Sequence, residues 1–319
     1  MRFNLIVPVA ADKPEYRARM PYWMDIHPGG NLFLFEAISG LNLREFDAIY
    51  ITLLRTHEEK YQVTKALALQ FEKIGLAEKL RVVILDAPTG SQPETVAATI
   101  EKEKIEGHIV VKDSDNHFEC TLRPGNFICT YPLDALNRVN PGDKSYIAVD
   151  DNSYITNIVE KKIISRWFCA GAYGFESAEL FLDYYHKHKV HKGLYISHLI
   201  YAMLLDRINF KPINIRNYCD WGTEREWQDF KNQFQTLLIP VELFFSDSDI
   251  VRYVNKLYES NKVNIVLLSA RNNIYNGDEI ERHLKTTLGL KYHQILTIPQ
   301  RGNCHLISGK NDLLKLAGD

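Results

Sequence analysis

Strand-length apolar runs alternate with stretches of helical spacing along the first third of the chain. Residues 3–9, 48–53, 80–85 and 109–111 are rich in Ile, Val and Leu on successive positions, as in strands buried on both faces. Between them, residues 32–41, 57–74 and 94–100 repeat apolar side chains at helical intervals, with Glu94 in the first turn of the last. Strand and helix in regular alternation predict a right-handed, parallel α/β sheet. The texture then changes. Residues 146–149 and 155–159 read as antiparallel strands around the turn Asp150-Asp151-Asn152-Ser153, followed by a strand over 165–175 and helices over 178–188 and 197–206. An extended segment over 212–218 and a helix over 224–234 complete this part. From residue 237 the first pattern restarts, with strands at 237–245, 263–268 and 294–298 and helices at 250–261 and 278–288. The restart predicts a boundary near Gln235, dividing a large domain (1–235) from a smaller α/β module (236–319).

Composition narrows the function classes. Over 319 residues, 45% are hydrophobic and 24% charged, which are ordinary globular values. A formal net charge of −2 supplies no basic field for nucleic acid or an anionic membrane. The five cysteines are scattered, without a C-x-x-C pair, so neither a disulfide framework nor a zinc site is expected and a reducing cytoplasm fits best. No run approaches the ~20 apolar residues that span a bilayer.

The most informative stretch is Ile109-Val110-Val111-Lys112-Asp113-Ser114-Asp115-Asn116-His117-Phe118. A buried strand ends there in two carboxylates, and ligands in such sheets bind at the carboxyl ends of strands. Mg²⁺ takes one or two hard carboxylates and completes its shell with phosphates and water. Taken alone, the same residues equally describe a polar turn.

Other stretches, taken in order, break the tie. Ile6-Val7-Pro8-Val9-Ala10-Ala11, Pro88-Thr89-Gly90-Ser91-Gln92-Pro93-Glu94-Thr95, Lys112 to Phe118, Ile158-Val159-Glu160-Lys161, Ala170-Gly171-Ala172-Tyr173-Gly174-Phe175 and Tyr218-Cys219-Asp220-Trp221-Gly222-Thr223 follow one another. Together they resemble the sugar-phosphate nucleotidyltransferases, the nucleotide-diphosphosugar pyrophosphorylases, over roughly residues 3–228. The resemblance implies a Rossmann-like mixed α/β sheet of GT-A-like type and an enzyme that joins a nucleoside triphosphate to a small phosphorylated acceptor. It also implies roles for particular residues. Asp115 and Asp220 would hold Mg²⁺. Ala10, Ala11, Pro88, Gly90, Gln92, Thr95 and Asp113 would line the nucleotide site, and Glu160, Lys161, Gly171 and Tyr173 the acceptor site.

Two departures from the family pattern bear on activity. The segment 10–20, where the family has a glycine-rich signature loop, contains no glycine, and Pro21 is followed by Tyr22 and Trp23 where a lysine is expected. Lys13, Arg17 and Arg19 are the candidates to supply the missing positive charge, since guanidinium groups suit phosphate oxygens. The resemblance leaves the nucleotide open, with CTP or UTP favoured, and points to capsule or surface-polysaccharide synthesis. A homo-oligomer is compatible with this reading, and a GT-A glycosyltransferase and a catalytically inactive regulatory homologue stand as alternatives. Residues 237–319 faintly resemble a haloacid-dehalogenase-type phosphatase, through Ser246-Asp247-Ser248-Asp249 and the run 263–271. The second acidic pair of that family is not evident, so an inactive module is expected.

Overall fold

The computed structural model describes residues 2–10, 20–136, 140–191, 193–246, 249–260, 263–268, 281–296 and 304–306. By its contacts the chain separates into two units. One comprises residues 1–25 and 32–222, the other residues 26–31 and 223–319.

The first unit is built on four parallel strands: β1 (Phe3–Pro8), β2 (Ala48–Leu54), β3 (Leu80–Leu85) and β4 (His108–Lys112), in the spatial order β3-β2-β1-β4. Every residue of β1 except Pro8 is buried, and Ile109 to Lys112 of β4 are buried as well, in keeping with strands covered on both faces. Further along the chain come β5 (Asn116–Glu119), β6 (Phe127–Pro132), β7 (Ser145–Val149), β8 (Ile155–Glu160), β9 (Trp167–Phe175), β10 (Lys211–Asn214) and β11 (Arg216–Asp220). β9 runs antiparallel to β4 and extends the sheet through β6 to β10, while β7 and β8 form a hairpin attached to β9. The sheet is therefore mixed, parallel on one side of β4 and largely antiparallel on the other.

The helices of this unit are α1 (Phe33–Ser39), α2 (Arg55–Tyr61), α3 (Val63–Lys73), α4 (Gln92–Glu103), α5 (Ala178–His188) and α6 (Ile196–Leu205). α4 starts where the Ser91 side chain accepts the Glu94 amide at 3.3 Å, and α5 where Ser177 accepts that of Leu180 at 3.0 Å. Their apolar faces close one core with the sheet: Val96, Ile100, Phe181 and Leu199 pack with Ile109, Val111, Ile128 and Phe175.

Three local features depart from the apolar pattern. The helix expected over 57–74 breaks at Gln62, which is left-handed (φ 52°) while the Glu58 carboxylate accepts the Thr64 amide at 2.8 Å. β5 and β6 carry no clear periodicity, since β6 mixes polar and apolar residues and takes its place by pairing with β9. The extended segment expected over 212–218 divides between two sheets. Asn217 is left-handed (φ 54°) and the register slips between Arg216 and Cys219, so β11 leaves β10 and pairs with β5 instead.

The second unit holds a four-stranded parallel sheet in the order β14-β13-β12-β15, formed by β12 (Gln235–Pro240), β13 (Val263–Leu268), β14 (Gln294–Leu296) and β15 (Cys304–Leu306). Its helices are α7 (Glu224–Lys231), α8 (Glu242–Ser246) and α9 (Asp249–Glu259), and a stretch of π-helix runs over His283–Thr287, within the helix expected over 278–288. The apolar run over 237–245 thus turns from strand to helix after Pro240, with the Val241 amide bonded to the Leu268 carbonyl at 2.9 Å. α7 lies on this side of the division because Trp227 and Phe230 pack against His27, with ring centroids 6.0 and 5.2 Å apart. Asp249 begins α9, while Asp247, Ser248, Ser269 and Arg271, which carry part of the phosphatase-like pattern, lie outside the described residues. No described helix is long and apolar enough to cross a membrane.

Phe175 is fully buried, with its ring edge-on to Phe181 at 5.1 Å and Phe210 at 6.0 Å. Phe175→Ala is expected to remove about 3–5 kcal/mol of stability, read as a lower urea midpoint with an unchanged slope.

Candidate functional site

The site forms where β4 ends. Lys112 is its last residue and is completely buried, yet its ammonium finds three acceptors: the Asp113 carbonyl at 2.7 Å, the Asn116 carbonyl at 2.9 Å and Asn116 Oδ1 at 2.7 Å. It also lies over the Phe118 ring at 4.8 Å from the centroid. Burial pulls its pKa down to about 8, against the pull of the Asp113, Asp115 and Asp220 carboxylates. All three ammonium hydrogens go to the turn 113–116, so Lys112 fixes the backbone that presents Asp113 and Asp115.

Asp113 is held from two directions, in a buried setting. Its amide donates to the Gly171 carbonyl at 2.7 Å, Gln92 Nε2 donates to its Oδ1 at 2.6 Å, and burial together with the Asp115 charge raises its pKa above the usual carboxylate range. Gly171 sits at φ +84°, and a Cβ there would lie 2.6 Å from Asp113 Oδ2 and closer still to Asn116 Nδ2. Only glycine lets β9 come this close.

Asp115 and Asp220, far apart in sequence, become neighbours through one short ladder. β5 and β11 pair antiparallel with Asp220 opposite Asn116, and the Trp221 amide donates to the Asp115 carbonyl at 2.9 Å. Asp220 Oδ1 accepts the Gly222 amide at 3.3 Å, and Oδ2 is ion-paired with Lys144. Asp220 does not cap α7, because Thr223 does so in a reciprocal box with Glu226. Tyr22, at the position where a lysine is expected, is buried and donates its hydroxyl to the Gly222 carbonyl at 2.8 Å.

The Pro88–Gln92 loop reaches the turn through the bond from Gln92 to Asp113. Pro88 and Gly90 are exposed, and the Gly90 amide donates to Glu94 Oε2 at 2.6 Å. Thr95 is buried against Thr89, whose amide reaches the Ala10 carbonyl at 3.4 Å, so the end of β1 and this loop meet. Gln92 keeps its amide oxygen free of Asp113 and gives its nitrogen to it. Ala11, Lys13, Arg17 and Arg19 lie outside the described residues.

The hairpin end reaches Asp220 through Lys144, whose carbonyl accepts the Lys161 amide at 3.0 Å. The Glu160 carboxylate accepts the hydroxyls of Ser145 and of Ser197, the latter at 2.6 Å. Lys161 is left-handed (φ 56°) and donates to the Tyr195 hydroxyl at 2.9 Å. A non-glycine residue held in that conformation is common at functional sites. Tyr173 is buried in β9 with its phenol pushed up by burial and then by the Asp113 charge.

The sequence pattern alone does not single out Lys112, Lys144, Ser145, Ser197 or Tyr218. Lys112 leaves one signal, a charged residue closing an otherwise apolar strand. Lys144 and the serines leave none, because their partners are distant in sequence.

Among the described residues no three His, Cys, Asp or Glu side chains gather as a self-sufficient metal cage. Two carboxylates on adjoining backbone still suit Mg²⁺, which leaves most of its shell to phosphates and water, so the donor set fits an ion that arrives with a nucleotide.

No family model matches the sequence, and no curated protein matches it. Solved structures do. The nucleoside-diphosphate-sugar pyrophosphorylase from Vibrio cholerae RC9 is similar at a TM-score of 0.59 and 16% identity, covering 71% of this chain and 98% of that one. The inositol-1-phosphate CTP transferase from T. maritima gives 0.55 at 10% identity, with 71% and 91% covered. A UDP-glucose pyrophosphorylase complexed with UDP-glucose gives 0.55 at 12%, with 73% and 98% covered.

Gly171→Ala tests the close approach directly. It is expected to cost about 1–3 kcal/mol from backbone strain alone, seen as a lower thermal midpoint. Over about seven-tenths of its length, then, the chain has the mixed α/β fold of the nucleotide-sugar pyrophosphorylases and related nucleotidyltransferases.

Proposed function

We propose that the protein is a Mg²⁺-dependent nucleotidyltransferase that joins the nucleotide of an NTP, CTP or UTP by preference, to a small phosphorylated acceptor. An oxygen of the acceptor phosphate forms the new bond to the α-phosphorus, and the bond from that phosphorus to the bridging oxygen breaks. The electron pair leaves with pyrophosphate. The observation that carries this reading is the β5–β11 ladder, which sets Asp220 beside the Asp115 turn, with Gln92 bonded to Asp113 and the Lys161 amide bonded to the Lys144 carbonyl.

Both reactants are anions, so positioning and charge neutralisation dominate the catalysis. Bound magnesium, held by Asp115 and Asp220, would supply Lewis-acid neutralisation of phosphate oxygens. The Pro88–Gln92 loop orients the base, with Gly90 allowing close approach and the Gln92 carbonyl oxygen accepting from it. Glu160, locked by two serine hydroxyls, accepts donors of the acceptor, while Lys161 meets its phosphate. Lys13, Arg17 and Arg19 would steady the β- and γ-phosphates. Use of a free phosphorylated metabolite fits a cytoplasmic enzyme supplying activated precursors for capsule or surface polysaccharide. The unit carrying β12–β15 would serve association or closure rather than phosphatase chemistry. The similar structures, among them an inositol-1-phosphate CTP transferase, support this class of reaction. A GT-A glycosyltransferase is less well supported, because Asp113, the first carboxylate of its D-x-D, is tied to Gln92.

Incubation with each NTP, Mg²⁺ and a panel of phosphorylated acceptors is expected to release pyrophosphate with one NTP. Turnover of a nucleotide sugar without pyrophosphate would overturn the reading. Asp115→Ala and Asp220→Ala are each expected to lower kcat by about 10²–10³-fold, with EDTA abolishing the wild-type rate.

A further inference from the structure

Two lysines face the carboxylates at the end of β4, and their hydrogen bonding differs. Lys112 is sealed in, with all three ammonium hydrogens committed to backbone and amide acceptors. Lys144 has two partners among the described residues: its ammonium is ion-paired with Asp220 Oδ2 and donates to the Tyr218 hydroxyl at 3.1 Å. One hydrogen remains, and the ion pair is largely buried, with side chains 15% and 11% exposed and Asp220 Oδ2 itself closed off from solvent. The Tyr218 ring is itself packed against Tyr131 and Phe168, so the hydroxyl is a fixed anchor.

The main chain of Lys144 belongs to a different part of the site. Its carbonyl accepts the Lys161 amide at 3.0 Å, and the next residue, Ser145, stands opposite Glu160 in the β7–β8 ladder. The residue therefore starts at the Glu160–Lys161 wall and ends on Asp220. A divalent ion and an ammonium cannot share one carboxylate without strong repulsion, whereas a phosphate arriving beside Glu160 and Lys161 offers the ammonium a new anion.

We infer that Lys144 is an exchangeable counter-ion, neutralising Asp220 while the site is empty of metal and turning to the acceptor phosphate once a divalent ion takes that carboxylate. The phosphate half rests on the proposed transfer reaction; the Asp220 half does not. Lys144 thereby supplies a mobile positive charge on the acceptor side, in a chain where Tyr22 holds the Gly222 carbonyl instead of a lysine.

The test is Mn²⁺ binding to the nucleotide-free protein, followed by the EPR signal of the free ion. If Lys144 leaves Asp220 free about a tenth of the time, Lys144→Met is expected to bind Mn²⁺ about tenfold more tightly than wild type. Lys144→Arg should stay close to wild type, and adding Asp220→Asn to Lys144→Met should remove the gain. In turnover, Lys144→Met should raise the acceptor KM more than it changes the NTP KM. A lysine with a purely structural role would, on removal, loosen Asp220 and weaken Mn²⁺. Unchanged, weaker or undetectable Mn²⁺ binding by Lys144→Met therefore overturns the inference. Should that variant not fold, Lys144→Gln, which can still donate to Tyr218, carries the same expectation. Tighter Mn²⁺ binding without transferase activity toward any NTP would retain the exchange at Asp220 and reject the reaction.

Discussion

A charged amine closed off from water at the end of a central strand is the constraint on which the site depends. Isolated, the Lys112 ammonium would be intolerable there, since several kcal/mol of lost hydration must be offset by neighbouring groups. The chain answers by wrapping Asp113 to Asn116 around it, so that two carbonyls and one amide oxygen face the nitrogen. The turn so fixed sets Asp115 at its outer edge and starts β5 in the direction that β11 can pair with. Asp220 arrives by that pairing, which makes the carboxylate pair a consequence of satisfying one buried cation. The same demand explains Gly171, because β9 must approach the turn more closely than any side chain would allow.

The location is set by topology. β4 is where the parallel half of the sheet meets the antiparallel half, and strand direction changes there. In open α/β sheets ligands bind at the carboxyl ends of strands where such a change occurs. The parallel half contributes Ala10, Thr89 and Gln92. The antiparallel half contributes Ser145, Glu160 and Lys161. Carboxylates are locked by hydroxyl donors at Glu160 and by an amide donor at Asp113, so they are oriented before any ligand arrives. Lys144 links the start of the hairpin to the β5–β11 ladder, with its carbonyl bonded to the Lys161 amide and its side chain on Asp220.

Much of this was written in local pattern. Apolar runs at β1, β2, β3 and β4 declare buried strands because both their faces are covered, and helices α4 and α5 announce themselves through serine caps and periodic apolar faces. The order of short motifs anticipated a nucleotidyltransferase-like sheet, and the paired solved structures have that fold. Where local pattern ran short, a non-local partner had decided. Gln62 breaks a periodic helix through a left-handed residue and a carboxylate bond to Thr64. β6 is a strand because β9 offers it a ladder, and β11 departs from β10 because Asn217 is left-handed.

By itself, then, the sequence determined most of the buried parallel strands and the helices between them, and where the acidic turn falls. Periodicity and capping act between residues a few positions apart and can be read along the chain. Tertiary structure alone decided that Asp220 lies beside Asp115, that Lys144 neutralises it, and that two serines hold Glu160. Those are electrostatic and hydrogen-bond pairings between segments far apart in sequence, and nothing in the local order of residues records which distant group will be the partner.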